Sequence, residues 1–125
     1  LDKDNHPENP QVLKAIAQAD LMVHGSGPSL VGIDYLQAWR KHCRKPYGIF
    51  GVTIPSLDAV SSAVCRNALF VYTRETASLA ILAKAGIGGE QVAFSPDATF
   101  YLNIFDHPRA DAFLSAHGLK QGKFI

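Results

Sequence analysis

Short apolar runs alternate with amphipathic segments along this chain, and the alternation predicts a repeating strand–helix unit. Asp20-Leu21-Met22-Val23-His24, Pro46 to Val52, Ala68 to Thr73 and Gln91 to Ser95 have strand length and no strict polar alternation. Such runs predict strands buried on both faces, as in a parallel sheet. Helical signals fill the gaps. Asn9-Pro10 is a cap and first-turn pair leading to Leu13, Ile16 and Ala17. Ser29 is expected to cap a helix with Leu30, Ile33, Leu36 and Trp39 on its inward face and Arg40, Lys41 and Arg44 at its negative end. Ser56 is expected to cap the next, with Leu57, Val60 and Val64 inward. Thr76 to Ala85 is dense in helix formers and stops at Gly86, and Asp106 precedes a last helix bearing Ala110, Phe113 and Leu114 and closed by Gly118.

The predicted order is α-β-α-β-α-β-α-β-α. Strand centres at Val23, Phe50, Val71 and Phe94 lie 27, 21 and 23 residues apart, enough for crossovers through a helix. The expectation is an α/β fold: a doubly wound, mainly parallel Rossmann-like sheet with helices on both faces. Phe50, Phe70, Tyr72, Phe94 and Trp39 are expected in the core. Residues 1–118 are expected to form the domain, with a solvated lead-in over Leu1 to His6. Residues 119–125 read as a linker and the start of an absent second domain, because Lys123-Phe124-Ile125 resembles the opening of a strand and the chain begins at Leu1 without Met.

Composition narrows the function classes. The 125 residues are 47% hydrophobic and 18% charged, with 12 basic and 11 acidic side chains and a formal charge of +1. A protein that bound nucleic acid through its phosphates would be more basic. No apolar stretch approaches the ~20 residues of a membrane span, and no signal peptide opens the chain. Cys43 and Cys65, 22 residues apart, lack zinc-site spacing and read as free thiols of a reducing cytosol.

Ligands of an open parallel sheet bind at the carboxyl ends of its strands, which selects Gly25 to Pro28, Thr53 to Ser56, Thr73 to Ser78 and Ser95 to Phe100. Gly25-Ser26-Gly27-Pro28 reads either as a backbone approach to an anion at a helix start or as a tight turn. A dinucleotide fingerprint would need glycine at Leu30, and no Walker-type Gly-Lys-Ser/Thr is present. The sharpest signal is Thr73-Arg74-Glu75-Thr76-Ala77-Ser78. Arg74 ends a buried apolar strand, a poor place for a permanent charge without an anionic partner, and its guanidinium suits a phosphate or carboxylate. Ser78, one helical turn on, can add its hydroxyl. The alternative is an internal pair of Arg74 with Asp97 and a capping role for Ser78. Asp97 itself can orient Arg74, accept from a sugar hydroxyl, or make a turn after Pro96. His24, at the expected tip of the first strand, is the histidine nearest this cleft, and no catalytic triad or metal-ligand spacing can be assembled.

Asp20 to Pro28, Pro46 to Val52, Phe70-Val-Tyr-Thr-Arg-Glu-Thr-Ala-Ser-Leu, Gly86-Ile87 and Ser95-Pro-Asp-Ala-Thr-Phe together resemble the polysaccharide pyruvyl transferases, in the family's order over roughly residues 20–102. The Arg-Glu/Asp-x-x-Ser element, here Arg74 to Ser78, followed some twenty residues later by Pro-Asp, is the more specific part. Many members carry consecutive glycines where this chain has Gly25-Ser26-Gly27.

The resemblance implies half of a glycosyltransferase-B-like enzyme with its site between two Rossmann-like halves. The implied reaction transfers the enolpyruvyl group of phosphoenolpyruvate to a sugar hydroxyl of an exopolysaccharide or cell-wall glycan, giving a pyruvate ketal. Arg74 matches the motif arginine that binds phosphoenolpyruvate, Ser78 the motif serine, and Gly25, Ser26, Gly27 and Asp97 would line the cleft. The implied partners are phosphoenolpyruvate, a saccharide acceptor and a missing C-terminal domain supplying a basic His or Lys. No cofactor and no metal are implied, and this part alone is expected to be inactive. The implied location is the cytoplasm, at the inner face of the membrane where glycan precursors are made. A nucleotide-sugar glycosyltransferase of the same architecture and a degenerate, non-catalytic α/β binding domain stand as alternatives.

Overall fold

The structure, a computed structural model, describes residues 8–123, and of Ser26 the backbone alone. The expected lead-in at Leu1 to His6 and the strand-like end at Phe124-Ile125 lie outside the described residues. Among the described residues five α-helices, α1 (Pro10–Gln18), α2 (Ile33–His42), α3 (Ala59–Asn67), α4 (Ala77–Lys84) and α5 (His107–Ala116), accompany four strands. The strands β1 (Met22–Gly27), β2 (Tyr47–Val52), β3 (Val71–Thr73) and β4 (Val92–Phe94) form one all-parallel sheet in the order β1-β2-β3-β4. The α/β, Rossmann-like class expected from the sequence is what forms.

Every crossover steps the same way along the sheet, so right-handed connections carry α2, α3 and α4 to one face. The core confirms that placement: Leu36 and Trp39 from α2, Val64 and Cys65 from α3 and Leu82 from α4 cluster with Tyr47, Ile49 and Val71 of the strands. The second layer of a doubly wound sheet is therefore not built by these three helices. On the opposite face the Phe70 ring packs 4.9 Å from that of Tyr72. It lies so close over Gly48 that a Cβ there would stand 2.1 Å from Phe70 Cζ. Gly51, at φ +70°, makes the bulge between Phe50 and Val52 and returns Val52 to the helix-covered core.

Local chemistry fixes the helix ends. Asn9 caps α1 by accepting from the Gln11 N–H, and Asp106 caps α5 through the Arg109 N–H, both as expected. Lys45 Nζ donates to the carbonyls of Ile16, Ala17 and Ala19 at 3.1, 3.0 and 2.7 Å, closing the far end of α1. Two expected caps are corrected. Helix α2 starts not at Ser29 but after Gly32, whose φ of +74° suits glycine. Helix α3 is capped not by Ser56 but by Asp58, which shares a reciprocal capping box with Ser61. With that start, Val60 turns outward and is exposed, whereas Val64 is buried as expected.

Burial of the strands on both faces holds for β2 and fails at the sheet edges. Val23 on β1 and Phe94 on β4 are exposed because, among the described residues, each lies on an edge strand with a neighbour on one side only, so Phe94 is not a core residue. Phe50, Phe70 and Tyr72 are half-buried on the face away from the helices, and Trp39 is buried with its indole N–H donating to Lys45 O at 2.9 Å. Both cysteines are free; burial pushes the Cys65 thiol up to about 11. Among the described residues no helix is long and apolar enough to cross a membrane.

Candidate functional site

The sheet's hydrogen-bond ladder runs one residue beyond its strands on the carboxyl side and draws four loops together. Thr53 N–H donates to Gly27 O (3.0 Å), Arg74 N–H to Val52 O (3.2 Å) and Ser95 N–H to Thr73 O (2.9 Å). Each loop therefore leaves the sheet beside its neighbour, and a side chain at one strand end reaches those of the next.

Arg74 uses that proximity. Its Nε donates to Thr53 Oγ1 at 3.0 Å and its Nη1 to Asp97 Oδ2 at 3.2 Å, so the guanidinium spans the ends of β2, β3 and β4. A guanidinium has five N–H donors; these two bonds orient it and leave donors over. The Arg74 side chain is 31% exposed and that of Asp97 20%, so the group is held by the fold yet open to solvent.

Asp97 is fixed from its other side. Its Oδ1 accepts from the Thr99 N–H at 3.1 Å and the Thr99 hydroxyl at 3.0 Å, capping the short 3-10 helix Ala98–Tyr101. The Thr99 N–H first, then the Thr99 hydroxyl and Arg74, hold its carboxyl below the usual carboxylate range. Of the roles open to Asp97 in the sequence, orienting Arg74 and making a turn after Pro96 thus occur together.

Ser78 is fully buried on the first turn of α4. Its Oγ accepts from the Ile54 N–H at 2.7 Å and donates to a Glu75 carboxylate oxygen, while the Ser78 N–H donates to the same carboxylate. The hydroxyl of Ser78 is the largest influence lowering the Glu75 pKa. Ser78 therefore ties α4 to the loop after β2, one residue from the Thr53 that holds Arg74.

The glycine segment differs from the loop expected. Gly25, Ser26 and Gly27 are strand residues, with Gly25 paired to Phe50 and Gly27 to Val52. The helix behind them begins only at Ile33, so they do not present a helix N-terminus to an anion. The φ angles of both glycines are not positive, and a Cβ on Gly25 would meet nothing nearer than 3.8 Å, so the fold does not itself demand glycine at 25, whereas at Gly27 a Cβ would stand 3.3 Å from the Ser29 carbonyl oxygen. His24 likewise sits three residues inside β1, paired with Ile49 rather than at the strand tip. Burial lowers its pKa and favours the neutral ring.

Thr53 opens one of the four segments selected from the sequence, but its part in the candidate site, bracing Arg74, was not singled out. Its signal was available: it is the first polar residue after the apolar run of β2, at the same edge as Arg74. A wide groove lies elsewhere, between α1 and α2, and shares no residue with the Arg74 cluster. Convergent polar groups at the carboxyl edge, rather than groove size, mark the Arg74 cluster as the candidate site. No group of three or more His, Cys, Asp and Glu gathers as a metal site among the described residues.

Neither the curated proteins nor the solved structures include a match to this chain. The family comparison does give one, and it spans the whole sheet and the Arg74 cluster: residues 2–118 match the family described as polysaccharide pyruvyl transferase, and the chain belongs to that family of transferases.

Proposed function

We propose that the protein transfers the enolpyruvyl group of phosphoenolpyruvate to a sugar of an exopolysaccharide or cell-wall glycan, with Arg74 as the clamp for the anionic donor. The single observation that carries this reading is the guanidinium itself, braced by Thr53 and Asp97 yet partly open at the carboxyl edge of the sheet. A small donor bearing a phosphate and a carboxylate suits such a group, because charge-assisted bonds to a pre-oriented guanidinium lose little side-chain freedom. Gly25 and Gly27 leave bare backbone on β1, beside the Thr53 end of β2, where a donor can approach closely.

The chemistry balances without a cofactor. Protonation of the donor's methylene carbon gives a methyl group and an oxocarbenium-like carbon beside the carboxylate. One sugar hydroxyl adds to that carbon and a second displaces phosphate, closing the ketal. Of the two hydroxyl protons lost, one balances the proton taken up by the methyl group and the other leaves with phosphate. Arg74 holds the donor's negative charge through these steps, and Asp97 and Thr53 orient Arg74. Ser78 acts as a positioning residue through Ile54. The general acid and base belong, in this reading, to a second α/β half that closes over the edge, with residues 119–125 as the linker and the start of that half. The enzyme would act on the cytoplasmic face of the membrane, where glycan precursors are assembled.

The test is direct. Full-length protein incubated with phosphoenolpyruvate and candidate glycans should release inorganic phosphate and leave acid-labile pyruvate on the glycan, and phosphoenolpyruvate should raise its Tm. Stabilisation by nucleotide sugars instead, with no pyruvate on any acceptor, would replace this reading with a glycosyltransferase.

A further inference from the structure

We propose that the aromatic segment following Asp97, centred on Phe100 and Tyr101, is the platform on which the acceptor saccharide lies; this rests on the pyruvyl-transfer reading above. Phe100 is 82% and Tyr101 76% exposed, which is unusual for large aromatic side chains adjoining a polar site. Their position is set by the site itself. Asp97, the carboxylate that orients Arg74, also caps the 3-10 helix Ala98–Tyr101 that carries both rings. Three residues of 3-10 helix advance about 6 Å, so a sugar seated on Phe100 lies close to a donor held at Arg74.

The chemistry of the segment matches a sugar. A pyranose ring has an apolar C–H face, whose weakly positive hydrogens suit the negative face of an aromatic ring, and a rim of hydroxyls. The segment Thr99-Phe100-Tyr101-Leu102-Asn103 interleaves two rings with a threonine hydroxyl, a phenol and an amide. Ile104 and Phe105, also exposed, prolong the strip away from Asp97, as a polymer acceptor needs and a monosaccharide does not.

The experiment uses the full-length protein, saturated with phosphoenolpyruvate, and methyl hexopyranosides of the gluco, galacto and manno series as probes. Saturation-transfer NMR should show magnetisation passing from protein to the C–H face of at least one probe. Phe100→Ala and Tyr101→Ala should each weaken that binding by about tenfold or more. Phosphoenolpyruvate affinity and the urea midpoint should stay unchanged, because the side chains removed are exposed. Equal transfer in the variants, or none to any probe from the unaltered protein, would overturn the proposal. So would a change of mass in sedimentation or a lowered urea midpoint caused by either substitution, because the strip would then be a protein contact, between chains or with the second half. Failure of the unaltered protein to retain phosphoenolpyruvate would instead strike the donor reading.

Discussion

Replacing Ser78 by alanine removes one oxygen from a fully buried place and separates two roles for this residue. In the native chain that oxygen accepts from the Ile54 N–H at 2.7 Å, and both residues are about as buried as any in the chain. Without it the Ile54 N–H is left buried without a partner, a loss of about 1–3 kcal/mol. Alanine's better helix propensity returns about 0.5 kcal/mol at most, and the Ser78 N–H keeps its bond to Glu75. A net loss of about 1–2 kcal/mol should lower the Tm by roughly 4–8 °C for a domain of this size. In urea the midpoint should fall with the slope unchanged. Phosphoenolpyruvate affinity, measured on the same variant, should fall by less than about fivefold, because Thr53 is shifted rather than removed. Unchanged stability together with lost donor binding would refute the reasoning and make Ser78 a ligand-contacting residue.

Two further outcomes follow from the packing and the charges. Gly48→Ala would drive a methyl into the Phe70 ring, 2.1 Å from Cζ, and should cost about 1–3 kcal/mol in urea unfolding; Phe70→Leu in the same chain should recover part of the loss, and full stability of the single variant would contradict the close packing. The His24 pKa is lowered by burial, so the unfolded chain binds the proton more readily. Stability is then complete above the ordinary histidine range and declines as pH falls through and below it. Below the usual carboxylate range, protonation of Glu75 and Asp97, whose folded pKa values are depressed, adds a further decline. His24→Asn should flatten the first of these declines in a pH series of urea midpoints, and an unaltered profile would show that His24 is not its source.

Much of this fold could be read from the pattern of apolar runs, and what could not is explained by contacts between segments. Tyr47 to Val52 is a strand by its own composition, and it forms one within a residue of where the pattern ends. The extension of β1 through Gly25 and Gly27 comes from pairing with Phe50 and Val52, which no local signal encodes. Ser29 and Ser56 look like caps in isolation, but a positive φ at Gly32 and the Asp58–Ser61 box decide the helix starts. Exposure of Val23 and Phe94 follows from strand order, which spacing alone does not fix. At the site, the charge of Arg74 at the end of an apolar run was legible. Its brace from Thr53 required knowing that β2 and β3 are neighbours, and the enclosure of Ser78 required knowing that α4 packs against the loop after β2.

The central claim is that Arg74, oriented by Thr53 and Asp97, grips the anionic donor. Phosphoenolpyruvate titration by calorimetry, comparing the full-length protein with Arg74→Gln, tests it most directly. Glutamine keeps a polar side chain but removes the charge and the fork of donors, so affinity should fall by about 10-fold to 100-fold, the equivalent of a charged hydrogen bond of about 1.5–3 kcal/mol, with the urea midpoint changed little at this partly exposed position. Equal affinity in the two proteins, or a collapse of stability with affinity intact in the folded fraction, would contradict the claim and leave Arg74 as a brace between strand ends.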